Sequence, residues 1–178
     1  MRWIVEQFCL LTEERAVFQM AKLSKMRYDA LLEKNKAAAQ AMELGEKSNE
    51  LKEKSDGLKE GISRIPTDLP EELQAQIDAA CEQMQSDLKV EAQALQEKAY
   101  DAKAQADKAL DEMRQNSDDL QKKGEKLTGL REIPLVGEFM GEKGDELIDG
   151  SEQIGDIAKE TMEYIDQLAE SRNNLFGI

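Results

Sequence analysis

Histidine is absent from this chain, and aromatic residues make up only 4% of it. The first absence removes imidazole bases, the Ser-His and Cys-His nucleophile pairs, and the Glu-x-x-His motifs of di-iron bundles. The second makes a deep globular core hard to build. Proline occurs only at Pro66, Pro70 and Pro134, and no β-branched stretch alternates with polar residues, so neither the punctuation nor the period of a sheet is present. The two cysteines, Cys9 and Cys81, match no metal-ligand spacing and read as thiols acting as small apolar side chains. A bridge between them would need helices one and two to bring those positions together, which the sequence leaves open. No stretch reaches the roughly 18 apolar residues of a membrane span. The segment Met1 to Leu11 is apolar, but Glu6 interrupts it and no small-residue cleavage site follows. The expectation is therefore a cytoplasmic protein, or one exported by an apparatus that reads no cleaved signal.

Charge is plentiful and uneven. Charged residues are 35% of the chain and the net charge is −14. Residues 1–65 are close to neutral, whereas 66–127 and 128–178 are both strongly acidic. Phosphate backbones and anionic membranes are met by clustered Lys and Arg, so the acidic two-thirds exclude nucleic acid as a partner. The acidity reads first as solubility and second as a surface for a basic partner.

The positive signal is helical. Leu44, Leu51, Leu58 and Ile65 stand seven residues apart, as do Leu147, Ile154, Thr161, Leu168 and Leu175. Two turns of an α-helix take about 7.2 residues, so such side chains return to one face. Between these tracts, Leu88, Ala92, Leu95, Ala99, Ala102, Ala106, Ala109 and Met113 follow alternating steps of four and three. The register then slips at Met113, Ser117, Leu120, Gly124 and Leu127. The fold class is all-α: a long helical hairpin plus a third helix, as an elongated, coiled-coil-like bundle. Its divisions are an apolar-to-polar first helix over 1–65 and an Ala-rich second helix over 66–127. A Gly-rich apolar loop over 128–144 and an acidic third helix over 145–178 follow. Pro66 and Pro70 mark the reversal, with Asp68 expected to cap helix two and Glu71 to complete a capping box. Gly57 and Gly61 each cost roughly 1 kcal/mol relative to Ala inside a helix and predict a kink or break there. Ser48 and Ser55 fall in the first stripe and predict weak association of that half.

Other chemistry is readily set aside. Gly137 to Lys143 has the wrong spacing for a phosphate loop, and no Ser or Thr follows Lys143. Asp145, Asp149, Gly150 and Asp156 echo a calcium loop, but Leu147 occupies a required oxygen position. No cofactor, metal or catalytic residue is expected, and the protein reads as non-enzymatic. Two apolar elements stand out instead. The first is an oligomer or partner surface of Ile4, Phe8, Leu11, Phe18, Met20 and Leu23, continued by Leu44, Leu51 and Leu58. The second is a flexible apolar element of Ile133, Leu135, Val136, Phe139 and Met140, which otherwise reads as a loop tucked under the helices.

At Glu46-Lys47-Ser48-Asn49-Glu50, and again at Pro70-Glu71-Glu72, the chain resembles the helical filament and translocator-associated proteins of bacterial type III secretion systems. The order of segments over about residues 16–125 is similar: apolar Phe18-Gln19-Met20-Ala21-Lys22-Leu23, a polar helix to Lys59, a Pro turn, and a second long helix. The chain departs from that family in lacking a long Gly/Asp-rich insertion and in carrying the acidic third helix. The resemblance implies export without a cleaved signal, a dedicated chaperone, and self-assembly through the two long helices.

These readings converge on a non-enzymatic helical assembly protein: an oligomer, filament or ring subunit that meets itself or other helical proteins. The alternatives are a chaperone or adaptor for a helical client, and an injected membrane-active protein making peripheral membrane contact through residues 1–26 and 133–141.

Overall fold

In a computed structural model the backbone is described for residues 2–133, 136–176 and 178, and side chains for 18–133, 136–176 and 178. Three helices make up the described chain, with no strand among the described residues: α1 (Arg2–Ser63), α2 (Glu71–Thr128) and α3 (Gly137–Asn174). The all-α expectation is met. α1 runs unbroken through Gly45, Gly57 and Gly61. It closes with tightened turns, in which the Arg64 and Ile65 amides donate to the carbonyls of Gly61 and Ile62. At the start of α2 it is the Pro70 carbonyl that accepts, from the amides of Leu73 and Gln74, so Pro70 is the capping residue and Asp68 lies two residues outside the helix. Pro suits this boundary because its missing N–H has no intrahelical acceptor there.

The expected loop over 128–144 is shorter than its glycines suggested. α3 already begins at Gly137, with the Val136 carbonyl accepting from the Met140 amide. The tract from Gly137 onward is thus helix, and at Gly137 and Gly144 an added side chain would clash with neighbouring backbone.

Packing divides the chain into two compact units. The first comprises Met1–Asn35 and Lys108–Met162. Its core is Leu23 and Ala30 from α1, Leu110, Met113 and Leu120 from α2, and Leu147, Ile154 and Ala158 from α3. Glycine and serine govern how close these helices come. A Cβ on Gly124 would stand 2.8 Å from the Gly144 carbonyl oxygen, and one on Gly144 would stand 2.8 Å from the Gly124 carbonyl oxygen. The α2 and α3 backbones therefore touch directly. A Cβ on Gly150 would meet Leu23 Cδ1 at 2.5 Å, so α1 seats a leucine on α3 in the same way. Arg131 and Asp145 form an ion pair across the turn between α2 and α3.

The second unit comprises Lys36–Asp107 and Glu163–Ile178. Leu44 and Leu51 of α1, Ala92, Leu95, Ala99, Ala102 and Ala106 of α2, and Ile165, Leu168 and Leu175 of α3 are buried. Ser48, one of the serines that interrupt the α1 stripe, is fully buried, and its hydroxyl donates to the Ser171 carbonyl at 3.0 Å. Ser48 is thus a satisfied part of the core that draws α1 against α3.

The α3 stripe Leu147, Ile154, Thr161, Leu168 and Leu175 is buried throughout. Thr161 is accommodated because its hydroxyl donates to the Ile157 carbonyl one turn back, at 2.8 Å. On α2 the buried stripe passes from Ala106 to Leu110, not to Ala109, so the slip falls earlier than Met113. Among the described residues no buried side-chain polar atom lacks a partner.

Candidate functional site

The core is built of Leu, Ala, Ile and Met, closed by Gly and Ser. None of the six aromatic side chains that the structure describes is buried: Phe18, Tyr28, Tyr100 and Phe176 are exposed, and Phe139 and Tyr164 are half-buried. Large aromatic side chains usually supply much of a protein's burial, so their outward placement is the feature that needs explaining.

The densest outward group is on α1 within the first unit. Phe18, Ala21, Lys25, Tyr28 and Leu32 are spaced by alternating steps of three and four, and all are exposed. At about 100° per residue they form one stripe, roughly opposite the inward stripe of Leu23 and Ala30. Phe18 is 72% exposed, Tyr28 66% and Leu32 52%. The stripe is narrow, with the period of a helix–helix seam and not the wide apolar face of a helix lying in a bilayer. Lys25 within it, with Lys22 and Arg27 beside it, puts positive charge along this stretch.

Each candidate residue has a distinct place. Ile4, Phe8 and Leu11 lie on α1, but their side chains are outside the described residues. Phe18 is on the outward stripe and Met20 is half-buried. Leu23, Leu44 and Leu51 are core and offer no partner surface, because their side chains are buried. Leu58 is half-buried near the hairpin tip. The apolar element at 133–140 is divided. Ile133 is exposed, Leu135 lies outside the described residues, Val136 is half-buried, and Phe139 and Met140 belong to the first turn of α3. The residues that sequence reasoning missed are Tyr28 and Leu32. Their signal was there, as a second seven-residue stripe from Phe18 to Leu32 out of phase with the first.

The second unit has its own outward features. Near the tip of the hairpin, α1 and α2 flank an open groove of about 540 Å³. Leu58, Ile62, Ile65, Cys81, Met84 and Leu88 form most of its apolar lining. The Cys81 thiol is free and half-buried there. Further along this unit, the Arg172 guanidinium lies 5.3 Å from the Tyr100 ring centre and 5.4 Å from that of Phe176. The guanidinium thus makes a cation–π contact with each of the two exposed rings.

The Lys47 ammonium, hydrogen-bonded to Glu43, holds that carboxyl below its ordinary value. Asp156 in the same way raises Lys159. Among the described residues no three acidic or cysteine side chains gather as a metal site. No helix of the described chain is long and apolar enough to cross a membrane. The chain matches no protein family, curated protein or solved structure.

Proposed function

We propose that the protein is a non-enzymatic helical assembly subunit, which joins other copies of itself through the outward stripe of α1. One observation carries the reading: Phe18, Tyr28 and Leu32 are directed outward at helix-pairing intervals while the core of Leu, Ile, Met and Ala holds none of the described aromatic side chains. A chain with so few bulky residues gains most by keeping them in its own core, so three on one exposed seam favour a surface completed by another helix. The finer reading, a component of a bacterial secretion or injection apparatus, is supported by the resemblance at Glu46 to Glu50 and Pro70 to Glu72. The open groove at the hairpin tip favours a second reading, a chaperone or adaptor that seats a client helix.

Mass in solution across a range of concentrations tests the proposal. Assembly through α1 predicts oligomers that dissociate on dilution and are lost in a Phe18→Glu, Leu32→Glu variant of unchanged helicity. Oligomers unaffected by that variant would move the contact elsewhere. A well-folded monomer at every concentration would end the reading.

A further inference from the structure

The groove at the hairpin tip is flanked by two unlike rims. On α1 the rim is small and basic: Lys54, then Gly57 and Gly61, where nothing described lies within 4 Å of an added Cβ. On α2 the rim is bulky and acidic: Met84, which is 53% exposed, then Asp87 and Glu91. Gly57 stands nine residues after Ser48, about 180° around α1. Since Ser48 faces α3, this side of the hairpin is one that α3 leaves uncovered.

We infer that this groove is an isologous contact, in which the same groove of a second copy is its occupant. The inference rests on the assembly reading and adds a second contact to it. A two-fold patch must contain its own complement, because whatever α1 offers must suit what α2 of the other copy offers. Here it does. A two-fold axis along the groove, parallel to the helices, sets α1 of one copy over α2 of the other without changing height. Residues that flank the groove at one height in a single hairpin then face one another across the axis. Lys54 meets Glu91 of the second copy, and the gap at Gly57 and Gly61 receives Asp87 and Met84. Each contact occurs twice. Apolar Leu58, Ile62, Ile65 and Leu88 close the centre as a four-helix arrangement.

Size sets the strength. Twelve residues of helix span about 18 Å, and two helices side by side about 20 Å. Such a patch is well below the roughly 800 Å² per partner of a stable interface. The contact is therefore weak alone and forms at high concentration, or when α1 already joins the copies.

The test uses the full chain carrying Phe18→Glu and Leu32→Glu, so that the tip is the remaining contact, with helicity checked by circular dichroism. Sedimentation velocity at rising concentration is expected to show a dimer. Lys54→Glu alone, or Glu91→Lys alone, is expected to raise its dissociation constant about tenfold, through like charges faced twice. Mixing the two variants is expected to restore association, since each then faces an opposite charge. In a Cys9→Ser chain that keeps Phe18 and Leu32, alkylation of Cys81 is expected to slow as concentration rises. A Phe18→Glu, Leu32→Glu chain that stays monomeric at high concentration overturns the tip contact and leaves assembly through α1 standing. Single variants that associate normally, or a mixture that does not recover, overturn the isologous pairing. If the wild-type chain never associates, both readings fall.

Discussion

Ser117 of α2 and Ser151 of α3 hydrogen-bond to each other's backbone: the Ser117 hydroxyl donates to the Ser151 carbonyl at 3.0 Å, and the Ser151 hydroxyl to the Ser117 carbonyl at 2.9 Å. Each hydroxyl crosses to the opposite helix, so the pair works only where the two backbones are close. Replacing either serine with Ala is expected to lower stability by about 1 kcal/mol, the net worth of one such bond. Ser151→Val is expected to cost about 1–3 kcal/mol, because its branched side chain must push the helices apart. Chemical denaturation of the single variants measures both, and a neutral Ser151→Val would show that the helices are not held this closely.

The glycines divide by what lies above them, and the division predicts opposite signs. A Cβ on Gly124 would come within 2.6 Å of Ile148 Cγ1 and 2.8 Å of the Gly144 carbonyl oxygen, and backbone cannot step aside. Gly124→Ala and Gly144→Ala are expected to destabilise by about 1–3 kcal/mol each. Gly57 and Gly61 have open space around them. Gly57→Ala and Gly61→Ala are expected to stabilise the folded chain by up to about 1 kcal/mol each, as Ala lowers the backbone entropy of the unfolded state. Thermal melts compare the four directly; destabilisation at Gly57 comparable to that at Gly124 would contradict the packing.

Glu43 offers a local check through pH. The hydrogen bond and charge of Lys47 depress its folded pKa below the ordinary glutamate value. A depressed carboxyl contributes stability that is present above its unfolded pKa and is lost as pH falls through the folded one. The window therefore lies below about pH 4.5, and the effect is small because the pair is solvated. Site-resolved NMR titration is expected to place Glu43 below the ordinary glutamate range, and Lys47→Gln to return it there. An unshifted Glu43 would mean that the pair does not persist in solution.

Much of the fold was legible because its stripes are built on large residues at seven-residue intervals. Leu147, Ile154, Leu168 and Leu175 point inward where the period put them. Glycine misled the boundary of α3. Its local cost in a helix argues for a loop, but at Gly137 and Gly144 the closeness of neighbouring backbone requires a residue without a side chain. Leu44 and Leu51 were misread as partner surface, because nothing local reveals that Ser48 reaches the α3 backbone at Ser171. The exposed stripe was half visible. Phe18 was identified, whereas Tyr28 and Leu32 are separated from it by lysines and look like ordinary surface until the opposite face is known to be the core.

The outward stripe itself is expected to contribute little to folding. Phe18→Glu and Leu32→Glu should leave the melting temperature within a degree or two, since surface changes away from packed features stay within about 0.5 kcal/mol. A large loss of stability in the isolated chain would place these side chains in its own core.

Sedimentation velocity of the wild-type chain, from low to high concentration, tests the central claim most directly. Assembly through the α1 stripe predicts sedimentation that shifts to larger species as concentration rises and reverts on dilution, with Phe18→Glu and Leu32→Glu suppressing the shift. A single 20.0 kDa species at every concentration, with full helicity, would contradict it.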